Sequence, residues 1–171
     1  MIDIIAQAIG IVAMVFSISS FQCKKDKSLL LMLATGCTLF SVNYIMLGSY
    51  AAAAFNIINV IRSLIRINPK LSNIYTLIFI CLLYIGVTIP TYDNWWTLML
   101  LATQITSSIA IWYFDGGVLR IHQGVFASPV WLINNIFISR TIGGTLCEIF
   151  SLTSIVVSLI RYGKNGFEKV D

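Results

Sequence analysis

Charge is what this chain has least of. Its 171 residues include 11 Lys and Arg and 7 Asp and Glu, 11% of the chain, against 58% hydrophobic residues and a mean hydropathy of +0.88. So few charges cannot coat a water-soluble globule of this length, so the chain reads as an integral membrane protein. Cys23, Cys37, Cys81 and Cys147 are scattered, three of them inside apolar stretches, with no paired spacing. That pattern suggests neither a metal site nor a disulfide framework, and nothing else calls for a cofactor. The single histidine, His122, stands alone near the start of an apolar stretch and reads as interfacial rather than as a ligand. Gly-x-Ser-x-Gly, His-Glu-x-x-His and P-loop patterns are all missing. Seven-span retinal proteins need a lysine on the last helix, and none is present there. These absences point away from an enzyme. The first stretch opens with Asp3 and no basic residue, unlike the positively charged start of a secretory signal peptide, so it is expected to stay in place.

What the chain does have is apolar length. In lipid every backbone amide must be paired internally, which restricts spanning segments to helices or a closed barrel, and long unbroken runs favour helices. Seven such runs are expected, at about 2–21, 28–47, 50–67, 73–90, 95–113, 118–139 and from 142 to about 161. The fourth carries no charge and sits near the middle. The expected fold is all-α and polytopic: one membrane domain over 1–171, a three-helix repeat over 2–67, a spacer helix over 73–90, a second three-helix repeat over 95–162 and a short cytoplasmic tail over 163–171. Pro129 lies inside the sixth run and predicts a kink. Trp95 and Trp96 suit the interfacial belt.

The basic residues test the count. With seven spans and the amino terminus outside, the inner side receives Lys24, Lys25, Lys27, Arg62, Arg66, Lys70, Arg120, Arg161, Lys164 and Lys169, leaving only Arg140 outside. Ten of eleven inside is what the positive-inside rule demands. Six spans would put both termini on one side and spoil this bias. The net charge of +4 and pI near 9.0 therefore read as orientation in the bilayer, with no nucleic-acid partner implied.

Three spans, a spacer and three spans leave the two triplets pointing the same way, so they can be parallel repeats. At a shift of 92 positions Asn43 falls on Asn135, Ala52 on Gly144, Asn56 on Glu148 and Asn59 on Ser151, and one position further Phe21-Gln22 falls on Phe114-Asp115. On the third run Ala52, Asn56, Asn59 and Ser63 share one helical face, as do Gly144, Glu148, Ser151 and Ile155 on the seventh. Ser128, Trp131 and Asn135 make a matching stripe on the sixth, and Gln104, Ser107 and Ser108 add donors on the fifth. Facing stripes could enclose a hydrated cavity for a small polar solute. The duller readings are close helix packing for the small and hydroxyl residues, including Ala51 to Ala54 and Gly143-Gly144, and simple helix bridging for Asn43, Asn56, Asn59, Asn134 and Asn135. Glu148 is different, because an ionisable group within a span is costly and defaults to a functional role. Its candidate partners are Asn56 and Asn135, with protonation as the neutral option. Arg62 and Arg66, near the inner end, are expected to snorkel.

The run from Leu47 to Arg62, with Trp131-Leu-Ile-Asn-Asn135 and Ile142-Gly-Gly-Thr-Leu-Cys-Glu148, resembles the YgjV-type bacterial inner-membrane proteins over nearly the whole chain. That resemblance implies a multi-pass protein of the bacterial inner membrane. The plan of three, one and three helices also resembles the SWEET and PQ-loop sugar transporters, whose halves are parallel repeats. In that group a Pro-Gln pair ends the first helix of each repeat and Asn residues on the third and seventh helices line the substrate site. The likeness assigns Gln22, and Asp115 in the second repeat, to the gating motif, Asn59 or Asn56 to the third-helix position, and Glu148 or Ser151 to the seventh. Phe21 stands where the proline would be, and the seventh helix has no Asn.

The leading expectation is a small-solute transporter or facilitator, sugars being one class the likeness suggests, with alternating access to a site between the triplets. Glu148 would bind substrate or exchange a proton, Asn56, Asn59 and Asn135 would hydrogen-bond it, Trp131 would stack on it, and Ser151 completes the set. The rival is a non-transporting structural or assembly partner whose polar residues only lock helices together. One chain supplies both triplets, so either a monomer or a homodimer would serve.

Overall fold

The computed structural model describes residues 2–114 and 116–163 together with Phe167. All regular structure among them is helical, in seven helices. These are α1 (Ile2–Ser20), α2 (Asp26–Met46), α3 (Tyr50–Ile67), α4 (Ile74–Thr91), α5 (Trp95–Tyr113), α6 (the continuous helical run 116–138) and α7 (Ile142–Tyr162). Asp115 and most of the expected tail lie outside the described residues. Boundaries differ from the sequence reading by two residues or fewer, for local reasons. Asp26 extends the start of α2, where a carboxylate favours the positive end of the helix. Asn73 becomes the cap of α4 rather than its first residue, in a reciprocal capping box with Thr76.

Five helices, α1, α2, α3, α4 and α7, are long and apolar enough by length and composition to cross a membrane. The other two fall short for visible reasons. α5 carries Thr97, Thr103, Gln104, Thr106, Ser107 and Ser108 along its length. In α6 the α-helical pieces Gly116–His122 and Ser128–Ile133 alternate with π-helical pieces Gln123–Ala127 and Asn134–Ile138. The expected kink at Pro129 takes this form: a proline ring clashes with the carbonyl four residues back, and the wider π turn just before it relieves that contact.

α2 packs between α1 and α3, and α6 packs between α5 and α7. The ring closes where α1 meets α7 and α3 meets α5, while α4 sits against α3 and α5. The inside of the ring carries many buried polar side chains among apolar ones, and its outside is apolar. Ile78, Phe79, Leu82, Ile85 and Ile89 of α4 are exposed, for example, whereas Thr103, Gln104, Ser107 and Ser108 of α5 are buried. This inversion suits a lipid surround, which removes any hydrophobic reason to hide apolar side chains and makes unpaired polar ones costly. Small residues let the ring close tightly: a methyl group built on Gly143 of α7 would overlap the Gly10 backbone of α1.

Candidate functional site

A cavity of about 100 Å³ lies inside the ring, lined from every ring helix and from none of α4. The six residues singled out from the sequence, Asn56, Asn59, Trp131, Asn135, Glu148 and Ser151, all line it. Helical periodicity is the cause. Asn56 and Asn59 of α3, Trp131 and Asn135 of α6, and Glu148 and Ser151 of α7 are spaced by three or four residues, so each pair shares the inward face of its helix.

The polar groups of this cavity are not equivalent. Asn56 Nδ2 donates to its own helix at Ala52 O (2.9 Å), and Asn59 Oδ1 accepts from Tyr84 Oη (2.7 Å). Asn135 Oδ1 accepts from Tyr44 Oη, also at 2.7 Å. Tyr44 stacks on Trp131 on one side, with ring centroids 6.2 Å apart, and on Phe40 on the other at 5.9 Å. Glu148 Oε2 is buried with no hydrogen-bond partner, and so is the hydroxyl of Ser128 on α6. The partners expected for Glu148 are thus corrected, because the Asn56 amide is turned to its own helix and the Asn135 carbonyl already takes the tyrosine hydroxyl.

The arginines also depart from expectation. Arg62 does not snorkel: it is buried, lines the cavity and donates from Nη1 to Ser108 Oγ (3.1 Å), while its Nε is buried without an acceptor. Its place three residues after Asn59 already put it on the inward face, and that spacing was the signal that could have found it. Arg66 is buried too, with Nε donating to Ile111 O at 3.1 Å and Nη1 to Ser72 Oγ at 3.3 Å. Arg120 is fully buried and donates to the carbonyls of Phe21, Cys23 and Gly116, with its guanidinium 3.8 Å from the Phe167 ring. A cation at the carbonyl end of α1 satisfies acceptors that the helix leaves open. His122 is not alone either, since Nε2 lies 3.0 Å from Thr106 Oγ1 and Nδ1 3.5 Å from Ser107 Oγ. Cys23, in the turn after α1, has its thiol pKa raised by burial, an effect the nearby Arg120 partly opposes.

Gln22 stands outside the six. Its Nε2 donates to both the carbonyl and the hydroxyl of Ser154 at 2.8 Å, fastening the end of α1 to α7. Asp115 cannot be compared with it, lying outside the described residues. At the opposite end of the bundle Asn43 bridges helices: its Nδ2 donates to Ala6 O (2.7 Å) and its Oδ1 accepts from Thr141 Oγ1 (3.0 Å), the residue that caps α7. Asn134 is likewise internal, donating to Ser139 Oγ at 2.9 Å. A second cavity, of about 290 Å³, opens at that end between the 48–50 turn, the 91–94 turn and the end of α6. Ala52 and Asn134 line this vestibule, while Asn56 and Asn135 line the central cavity, so the two approach within about one helical turn. Sequence reasoning missed Tyr44, Tyr84 and Arg62. Both tyrosines sit in runs that read as featureless lipid-spanning helix, and a hydroxyl at the tip of an aromatic ring leaves no periodic mark.

Comparison with known proteins agrees with the resemblance drawn from the sequence. The family model described as "Imp-YgjV: Bacterial inner membrane protein" matches residues 4–166. The chain is also 25% identical over 167 residues to the "Inner membrane protein YgjV" of Escherichia coli (strain K12), covering 98% of this chain and 89% of that relative. No solved structure matches. With nearly its whole length matched, this chain belongs to the Imp-YgjV family of bacterial inner membrane proteins.

Proposed function

We propose that the protein is a small-solute transporter or facilitator, not an enzyme, whose substrate site is the central cavity. The observation that carries this reading is the convergence of both triplets on one polar space. Asn56 and Asn59 from α3 and their repeat counterparts Glu148 and Ser151 from α7 line the same cavity. The packing supports a 3+1+3 plan with parallel repeats. Exchanging α1 for α5, α2 for α6 and α3 for α7 turns each ring contact into another ring contact, the α1–α7 pair becoming α5–α3. In this scheme the amino terminus is outside and the carboxyl terminus inside, as the basic residues require. The site takes substrate from the vestibule when the layer of Tyr44, Trp131 and Asn135 opens, and α6, with its two π-helical segments, is the helix built to move. Gln22 acts as the latch between α1 and α7 at the inner end, the gating role to which the likeness also assigns Asp115. Glu148 binds the solute or exchanges a proton with it, the asparagines hydrogen-bond it and Trp131 stacks on it.

Purified protein in sealed vesicles should move a solute, and flux should fall when Glu148→Gln or Asn59→Ala is introduced. Unchanged flux in both variants removes the proposed site, and tags on the two termini found in one compartment remove the scheme.

The rival reading, a structural or assembly partner, is favoured by one feature: the chain from Ala6 through Asn43 to Thr141 ties three helices together and lines neither the central cavity nor the vestibule. Under it Glu148→Gln would lower stability and alter no flux.

A further inference from the structure

Two features of the central cavity remain unexplained by hydrogen bonding within the protein. Arg62 and Glu148 both line it, one carrying a guanidinium and the other a carboxyl group. Arg62 is 93% buried, its residual exposure being 7%, and its Nε has no acceptor. Glu148 Oε2 is buried outside any formed hydrogen bond, with the equally unpartnered Ser128 hydroxyl as the nearby protein donor. A charged group inside a membrane domain is costly unless it is paired, and removing an ion from water without a partner costs more than any neutral hydrogen bond returns. The two open positions, a donor on one wall and an acceptor on another, are therefore the most specific chemical statement the cavity makes.

Resting on the reading of this cavity as a solute site, we infer that its ligand is a small zwitterion of amino-acid size, its carboxylate on Arg62 and its ammonium on Glu148. Net charge is the first argument. With Glu148 ionised the pair is neutral, and a zwitterion leaves it neutral, whereas an anion or a cation alone leaves one buried charge uncompensated. Geometry is the second. Counting rise from the first residue of each helix, Arg62 lies about 18 Å along α3 and Glu148 about 9 Å along α7. Two different ring helices, α3 and α7, present these groups to one cavity, so the two ends of a single small solute can meet separate walls. Arg62 is also held ready: Ser108, which accepts from its Nη1, itself donates to Gln104 O at 2.7 Å, so the guanidinium is fixed with Nε free. A planar guanidinium suits a carboxylate better than it suits a hydroxyl. On the other side the ammonium meets the aromatic wall of Trp131 and Tyr44, whose ring faces attract cations.

Size is the third argument. At about 100 Å³ the cavity holds several waters or a solute of few non-hydrogen atoms, and is well below the roughly 300 Å³ at which sites for drug-sized ligands begin. A glycine or an alanine is commensurate with it. A hexose, with about twice as many heavy atoms as alanine, is not.

The test is thermal unfolding of the full chain in detergent against glycine, L-alanine, acetate, methylammonium and glucose. Glycine and alanine should raise the midpoint saturably, because a ligand that binds only the folded state stabilises it by mass action, while the other three should not. Acetate or methylammonium matching glycine, or glucose alone shifting the midpoint, overturns the assignment, as does no shift from either zwitterion. This panel needs no variant, so the test survives if one fails to fold. In variants that do fold, Arg62→Lys and Glu148→Gln should each weaken the apparent glycine affinity about tenfold or more, the scale of a lost charge-assisted hydrogen bond. Cys81→Ala, on α4 outside the cavity, should leave it unchanged. Labelled glycine and sealed vesicles separate this inference from the transport reading. Binding without uptake overturns transport and keeps the zwitterion site, whereas uptake of another solute that Glu148→Gln abolishes, with no glycine shift, overturns the zwitterion and keeps transport.

Discussion

On α3 the amides that face the central cavity are both engaged, Asn56 with Ala52 of its own helix and Asn59 with Tyr84 of α4, whereas on α7 the Oε2 of Glu148, facing the same cavity, has no partner. The two helices hold equivalent places in the ring, and their inward residues fall on one another at a fixed shift of 92 positions. They differ in what the inward face is for. Where α3 spends its polar groups on the protein itself, with Arg62 as the exception, α7 leaves its one carboxyl open. On the repeat reading, the geometry is kept while the chemistry diverges, and the proposed ligand would meet the group that diverges.

The largest effect should come from the packing behind α7 rather than from the cavity. Gly143 abuts the Gly10 backbone, so Gly143→Leu forces α1 and α7 apart and should cost about 3 kcal/mol or more, since backbone cannot yield as a flexible side chain can. The corresponding residue of α3 is Ala51, which lines the open vestibule. There Ala51→Leu should stay within about 0.5 kcal/mol. Midpoints of thermal unfolding in one detergent check the pair. Equal losses at both positions would show that the Gly143 contact with Gly10 does not set α7 apart from α3 in how tightly it is seated.

Chemistry on the two faces is compared by exchanging an amide and an acid. Asn56→Asp removes the donor that Ala52 O accepts and sets a carboxylate beside that carbonyl, which should cost about 1–3 kcal/mol. Glu148→Gln removes an ionisable carboxyl whose Oε2 is in no formed hydrogen bond, so stability should hold or rise slightly while flux falls. A marked loss of stability in Glu148→Gln would mean that the carboxyl is a helix lock, as the structural rival requires.

Much of this was legible in the sequence, and the reason is periodicity. A seven-run apolar pattern located all seven helices, because lipid permits few other ways to pair the backbone. Spacings of three and four put Asn56, Asn59, Trp131, Asn135, Glu148 and Ser151 on inward faces. What stayed hidden depends on contacts between helices. Pro129 announced a distortion without saying that it would become a π turn, and the second π segment, Asn134–Ile138, has no proline to announce it. Arg62 was read as a surface cation because its distance from the end of α3 allowed it to reach the interface. The three-residue step from Asn59 sets it on the inward face, and the neighbouring Ser108, from a helix more than forty residues later in the chain, holds its guanidinium there.

The spare helix offers the finest cut. Of α4, only Leu77, Ile80, Tyr84 and Thr88 are buried, one narrow stripe on a helix that contributes nothing to the lining of the central cavity. Yet through Tyr84 it orients Asn59, whereas Asn135 is oriented from within the ring by Tyr44. Tyr84→Phe and Tyr44→Phe each delete one hydroxyl donor, and each should cost about 0.6–1 kcal/mol, the scale of a single interhelical hydrogen bond in a membrane protein. The loss stays small because the freed asparagine oxygen faces a space that several waters can occupy. Flux responds differently from stability. If α4 serves to aim Asn59 at the solute, Tyr84→Phe should lower flux as far as Asn59→Ala does while losing less stability. If it is a lipid-facing strut, only the unfolding midpoint should move, and the site would then be the property of the six ring helices alone.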